Sequence, residues 1–123
     1  MAACNQGPDA PGDHGVCWRE VADTAGKQKF EVISRNVENL DSCAAQIEGL
    51  RLQERRDVAG AYQTFFISAD DESVSSSSRR GGFRYPIFLP AQRQVIDDGL
   101  RRMIEQNHGK APKASDLAID KAQ

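Results

Sequence analysis

The alternation of hydrophobic and polar residues predicts two short strands near the start of the chain. Residues 16–21 alternate and are rich in strand-forming residues. Residues 29–34 show the same period, and the turn-forming residues 23–26 separate the two segments. We therefore expect a β-hairpin at this position.

A helical period follows the predicted hairpin. Between residues 40 and 50, apolar residues recur at the spacing of one helix face, and Asn39 or Asp41 can cap the helix. Cys43 belongs to this apolar face, so its side chain is expected to point towards the sheet. Glu48 falls off the apolar face.

The second half of the chain predicts two more strands and a second helix. Residues 58–67 form the most apolar stretch and predict one central strand, with small residues where the helix lies close. Residues 83–89 predict an edge strand, because Pro86 cannot donate a hydrogen bond to a neighbouring strand. Pro90 suits the first turn of a helix whose apolar residues recur as far as Ile104.

Together these elements predict an α+β fold. We expect a small antiparallel sheet of about four strands, in the order β-β-α-β-β-α, with two helices packed on one face. A single domain is expected over residues 15–107, with a flexible polar loop at residues 70–82. Residues 1–14 are expected to form a disordered tether and residues 108–123 a disordered tail.

Composition and charge exclude few classes of function. The hydrophobic fraction is 39% and the charged fraction is 28%, as in an ordinary soluble domain with a modest core. The net charge of -2 provides no general attraction to nucleic acids or anionic membranes. No apolar run approaches the roughly 18 residues that span a bilayer, and the sequence shows no basic and apolar leader.

The first residues resemble the end of a bacterial lipoprotein signal. Ala2-Ala3-Cys4 is similar to the last positions of a lipobox, and the Gly- and Pro-rich residues that follow suit a spacer. The resemblance implies a lipid on Cys4 and a position on the periplasmic side of the bacterial cell envelope. In the enteric pattern an aspartate directly after the cysteine marks inner-membrane retention. Asn5 stands at that position here, so the resemblance favours the outer membrane. A chance match in a cytoplasmic protein with three free thiols is the alternative.

The resemblance also implies an oxidising compartment, in which Cys17 and Cys43 would form a disulfide. The two residues lie on the first predicted strand and on the inward face of the first predicted helix. A bridge would join helix to sheet and would stabilise the domain by about 3.5 kcal/mol, for a loop of roughly 27 residues. Two buried free thiols are the alternative.

No signature of catalysis or cofactor binding is present in the sequence. His14 lies in the predicted tether and His108 at the end of the second predicted helix, and neither accompanies a nucleophile with an orienting group. No phosphate-binding loop, dinucleotide fingerprint or metal-ligand spacing appears. We therefore expect no catalytic residue, no metal and no cofactor. An enzyme remains a third alternative, with carboxylates or arginines that converge only in three dimensions.

One loop carries the candidate binding residues. It combines three arginines with two aromatic residues: Arg79, Arg80, Phe83, Arg84 and Tyr85. Exposed aromatic residues can anchor a protein partner, whereas arginines beside aromatic rings can hold phosphate or stack a base. Acidic residues in the same loop offset the positive charge, so nucleic acid is the less favoured partner.

Two hypotheses about function follow. The leading one is a non-enzymatic envelope lipoprotein domain that acts as a binding or structural module for another envelope protein or component. In this hypothesis the protein is attached to the membrane only through its lipid anchor. The alternative is a cytoplasmic accessory protein that binds nucleic acid or an acidic partner through Arg79, Arg80 and Arg84. The oligomeric state does not follow from the sequence.

Overall fold

A computed structural model describes residues 7–107 of the chain, and this part contains six strands and two helices. In chain order the elements are β1 (Cys17–Ala22), β2 (Gln28–Ser34), α1 (Leu40–Glu54), β3 (Val58–Tyr62), β4 (Phe65–Ala69), β5 (Val74–Ser77), β6 (Tyr85–Pro86) and α2 (Pro90–Gln106). The predicted lipid-bearing residue, Cys4, and the predicted tail, residues 108–123, lie outside the described residues. Neither helix is long and apolar enough to cross a membrane.

The strands form one antiparallel sheet in the order β2-β1-β3-β4-β5-β6. The α+β class is confirmed, but the predicted sheet of about four strands in the order β-β-α-β-β-α is wrong. The predicted edge position of Pro86 is confirmed, because β6 closes one end of the sheet.

The first missed strand results from a tight turn inside the most apolar stretch. Gln63 and Thr64 both adopt positive φ, of 45° and 74°, and reverse the chain between β3 and β4. Residues 58–67 therefore belong to a hairpin and not to a single central strand. Neither turn residue is the Asn or Gly that usually marks such a turn in a sequence, so the apolar pattern appeared continuous.

The second missed strand, β5, lies inside residues 70–82, where the sequence predicts a flexible loop. Val74 is fully buried opposite Ala69, and Ser75 and Ser77 are buried as well. A run of serines lacks the β-branched and aromatic residues that mark strands. The exposed edge of β4 provides its hydrogen-bonding partners instead, which local sequence does not reveal.

Helix α1 is the centre of the core, because it packs on β3 and β4 and also carries α2. Every residue from Ser42 to Gly49 is buried. Gly60 of β3 permits this close packing: a Cβ atom there would lie 2.2 Å from the Trp18 carbonyl oxygen and 2.5 Å from Ile47 Cδ1. Small residues in β3 therefore let the helix approach the sheet, as the sequence predicts.

The predicted Cys17–Cys43 disulfide is confirmed and joins β1 to α1. The two Cα atoms are 5.4 Å apart, and both cysteines are fully buried. Because Cys17 faces α1, its neighbours Trp18 and Glu20 lie on the opposite face of the sheet. We refer to that opposite face, which carries Trp18, Glu20 and Phe66, as the distal face.

Candidate functional site: an exposed aromatic pair beside the arginine loop

Phe83 and Tyr85 form an exposed pair of rings at the β6 end of the sheet, called here the aromatic pair. Their exposed fractions are 72% and 62%. The ring centroids are 4.6 Å apart, and the ring planes are inclined by 70° in an edge-to-face contact. Tyr85 is held in the sheet, opposite Ser76 of β5. The two rings therefore present a fixed apolar surface to solvent.

Arg84 lies between the two rings in sequence, and its guanidinium group contacts the domain. Its Nε donates to Ser75 Oγ at 3.0 Å, and its terminal nitrogen donates to Asp70 Oδ2 at 3.0 Å. Burial raises the pKa of Asp70, but hydrogen bonds from the Ser73 backbone and from Arg84 outweigh burial and lower that pKa below its usual value. Arg84 thus fixes the segment that carries the aromatic pair.

Arg80 is directed onto the distal face of the sheet. Its guanidinium lies 2.8 Å from the Glu20 carboxylate and donates to the Pro8 carbonyl at 2.8 Å. It also lies 4.8 Å from the centroid of the Phe66 ring. Only 8% of the Glu20 side chain is exposed. Arg80 therefore attaches the N-terminal segment to the sheet and neutralises a nearly buried carboxylate.

Arg79 shapes the turn that leads to the aromatic pair. Its backbone carbonyl accepts hydrogen bonds from Ser77 Oγ and from the Gly82 N–H, each at 3.0 Å. Gly81 adopts a left-handed φ of 73° within this turn. The Arg79 side chain is exposed. Of the five residues selected from the sequence, four are therefore exposed: Arg79, Phe83, Arg84 and Tyr85. Within residues 7–107, Arg80 and Arg84 are each paired with a carboxylate, and Arg79 is not.

A buried group of charges between the two helices was not found from the sequence. It consists of Glu48 and Arg51 of α1 with Arg93 and Asp97 of α2, and we refer to it as the helix charge cluster. Glu48 is fully buried and accepts hydrogen bonds from Arg51 at 2.7 and 2.9 Å and from Arg93 at 3.0 and 3.3 Å. Asp97 lies 3.9 Å from both arginines.

The two carboxylates of this cluster have opposite pKa shifts. Burial raises the pKa of Glu48, but hydrogen bonds with Arg51, Asp97 and Arg93 hold it below its usual value. Burial, followed by the hydrogen bond and the charge of Glu48, raises the pKa of Asp97 to about 7, and the arginines offset this only in part. Asp97 therefore gains or loses its proton near neutral pH, whereas Glu48 stays ionised.

The sequence does contain a signal for this cluster. Ala44, Ala45 and Gly49 are small residues spread around α1, so a second helix can approach the side that the sheet does not cover. α2 packs on that side. An acidic residue such as Glu48 on a helix that is covered all round needs a buried positive partner.

Two open grooves border the helix charge cluster. The larger one, of about 980 Å³, lies at the C-terminal end of α1, and the smaller one, of about 600 Å³, lies beside the start of α2. Arginines and carboxylates line both grooves in mixed order, so neither groove selects a ligand of one charge. Residues 7–107 contain no group of three or more His, Cys, Asp or Glu residues that could hold a metal ion.

Comparisons of the chain with protein-family models, with curated proteins and with solved structures found no match. The site and the fold therefore carry the functional argument by themselves. Within residues 7–107 they define a disulfide-linked α+β domain with an exposed pair of aromatic rings in edge-to-face contact.

Proposed function

We propose that the protein is a non-enzymatic binding module of the bacterial cell envelope, and that it contacts another envelope protein or component through the aromatic pair. The observation that carries the proposal is the exposure of Phe83 and Tyr85 in a fixed edge-to-face contact. Large aromatic side chains dominate the binding energy of many protein interfaces. A surface that is already ordered loses little conformational entropy on binding.

Attachment to the membrane through a lipid on Cys4 belongs to the same proposal. The lipobox-like Ala2-Ala3-Cys4 supports the anchor, and Asn5 supports the outer membrane. The disulfide between Cys17 and Cys43 supports an oxidising compartment such as the periplasm. Mass spectrometry of the protein from its native source tests the anchor: we expect a diacylglyceryl group on Cys4, and an unmodified thiol there contradicts it.

The binding surface is tested by affinity capture from envelope extracts with the Phe83→Ala/Tyr85→Ala double variant. We expect the partners of the wild-type protein to be lost, because the variant removes both anchoring rings. Phe65→Ala is the matched control, since Phe65 is an aromatic residue that is 44% exposed at a different turn. An unchanged set of partners in the double variant, or an equal loss in the control, contradicts the proposed surface.

The nucleic-acid alternative is less well supported by the side-chain geometry. Within residues 7–107, Arg80 is paired with Glu20 and Arg84 with Asp70, which leaves Arg79 as the guanidinium of the three without a carboxylate partner. Fluorescence anisotropy with a labelled single-stranded oligonucleotide separates the two hypotheses. We expect no binding, whereas binding that weakens steeply with salt and is lost in Arg79→Ala supports the alternative.

A further inference from the structure

The outer edge of β2 is an unpaired strand edge. In the part of the chain that the structure describes, β2 has a neighbouring strand, β1, on one side only. β2 is seven residues long and contains no proline, whereas the strand at the opposite end of the sheet, β6, has two residues and includes Pro86. A long edge without proline exposes backbone N–H and C=O groups that can pair with another strand.

The regular part of this edge is centred on Phe30. Pairing with β1 is regular from Gln28 to Val32, but Cys17 lies opposite Ser34 while Trp18 lies opposite Val32. Ile33 therefore forms a bulge that ends the regular stretch. Another strand can use five consecutive positions of the edge, and Phe30 is the middle one.

Symmetry restricts how a second copy can pair with this edge. An antiparallel arrangement of two identical strands has a two-fold axis perpendicular to the sheet, and each face must meet the same face of the other copy. One residue must therefore lie directly opposite the same residue of the other copy, with the axis midway between them. We describe such an axis as passing through that residue. An axis through Lys29 or Glu31 would place two like charges directly opposite each other, which is destabilising.

An axis through Phe30 places opposite charges together. Lys29 of each copy then lies opposite Glu31 of the other copy, and this pair occurs twice. The two side chains are 53% and 56% exposed and lie 3.6 Å apart within one copy, so both are at the surface and on the same face of the sheet. The register that uses the whole regular edge is thus also the register in which the charges are complementary.

We propose that two copies of the chain associate through the edges of β2, in an antiparallel register centred on Phe30, to form one sheet that continues across the dimer. This association is independent of the proposed binding function, because the aromatic pair lies at the other end of the sheet. A dimer of this kind would carry one aromatic pair at each outer end.

Sedimentation velocity at increasing protein concentration tests the dimer. All samples carry Cys4→Ser, which prevents a disulfide between copies through this residue. We expect reversible dimers of the otherwise unmodified chain. Glu31→Lys is expected to weaken association by about tenfold or more, because it replaces two attractive pairs with two repulsive ones. Lys29→Glu is expected to have the same effect for the same reason.

Two further samples establish the register. The double variant Lys29→Glu/Glu31→Lys restores both attractive pairs and should dimerise as the parent does. An equimolar mixture of the two single variants should form heterodimers, since one copy then has two positive residues and the other two negative ones. Circular dichroism confirms that each variant is folded. A parent chain that stays monomeric at all concentrations, or a double variant that stays monomeric while the parent dimerises, overturns the proposal.

Discussion

The two faces of the sheet are covered through different kinds of interaction. On one face, α1 is joined to β1 by the Cys17–Cys43 disulfide and packs through buried apolar residues such as Ile47. On the distal face, Arg80 contacts Glu20 and the Phe66 ring and holds the N-terminal segment. The contact of α1 with the sheet includes a covalent bond and hydrophobic burial, whereas on the distal face a nearly buried carboxylate is paired with one guanidinium group.

This difference indicates which contacts contribute most to stability and which are most sensitive to the loss of a single charge. Apolar burial does not depend on pH or on the identity of one atom, so many substitutions of similar volume are tolerated. A nearly buried carboxylate such as Glu20 requires its positive partner, because an unpaired charge in this position is strongly destabilising. We therefore expect the disulfide and the apolar packing of α1 to dominate global stability, and the pair of Arg80 and Glu20 to respond to single charge changes.

The largest expected effect comes from removing the covalent link. Cys17→Ala/Cys43→Ala should lower the free energy of unfolding by about 3.5 kcal/mol, because the unfolded chain gains the entropy of an open loop. Urea titration followed by circular dichroism measures the change, with Cys4→Ser as the control that keeps the disulfide. A loss of less than about 1 kcal/mol would mean that loop entropy contributes little here.

The next effect tests the close contact between helix and sheet. Gly60→Ala should lower the free energy of unfolding by about 2–3 kcal/mol, since the new Cβ would overlap with the Trp18 carbonyl and with Ile47. Gly99→Ala on α2 is the matched control, because the nearest atom to a new Cβ there is 3.9 Å away. This control should raise stability by about 0.5–1 kcal/mol through helix propensity. Equal losses in both variants would contradict the packing argument.

A smaller effect tests the distal face. Arg80→Met should lower the free energy of unfolding by about 2 kcal/mol, because the nearly buried Glu20 carboxylate loses its positive partner. Glu20→Gln/Arg80→Met should recover about half of this loss, since no unpaired charge remains. The same urea titration provides the measurement. If the single and double variants are equally stable, the ion pair does not hold this face.

A separate effect, measured as a pH profile, is expected in the helix charge cluster. The pKa of Asp97 is about 7 in the folded protein and 3.8 in its ordinary state, so the protonated form is favoured by folding. Its contribution to stability is complete below pH 3.8 and is lost as the pH rises through about 7. Asp97→Asn cannot ionise and should remove this dependence.

Urea midpoints of wild type and Asp97→Asn between pH 5 and pH 8 isolate the contribution of Asp97. We expect the wild-type protein to lose stability relative to the variant as the pH rises over this range. Glu48 does not interfere, because its lowered pKa places its own titration at more acidic pH. Parallel pH profiles for the two proteins would show that Asp97 does not change its charge in this range.

Several elements were predictable because their signals are local. The hairpin of β1 and β2, the start of α1 near Asn39 and the start of α2 at Pro90 all follow from periodicity and capping within a few residues. The disulfide followed from two such assignments together with the resemblance to a lipoprotein signal. Each of the element assignments needed only the residues of one element or of two neighbouring ones.

Other elements were missed because their causes are distant in sequence. The turn at Gln63 and Thr64 is made by residues that do not usually mark a hairpin, and the serines of β5 form a strand because β4 offers a free edge. Glu48 was assigned to the polar side of α1, but α2 covers that side. In each case the deciding partner is an element that local periodicity does not locate.

The candidate site likewise contains residues that the sequence predicted correctly and residues whose partners it did not reveal. The sequence selected Phe83 and Tyr85 as exposed rings, and the structure exposes both. It also grouped Arg80 and Arg84 with them as contact residues, although their charges are paired with Glu20 and Asp70. Glu20 lies 60 positions before Arg80, so no local pattern links the two residues.

By itself, the sequence determined the class of the fold, the first hairpin, both helix starts and the two cysteines that meet. Hydrophobic period, turn chemistry and capping act over a few residues, so they can be recognised in the amino-acid sequence. Only the tertiary structure decided the number and order of strands, the burial of Glu48 and the direction of Arg80. These features depend on which distant groups are close in space, because burial and charge pairing are properties of the packed molecule.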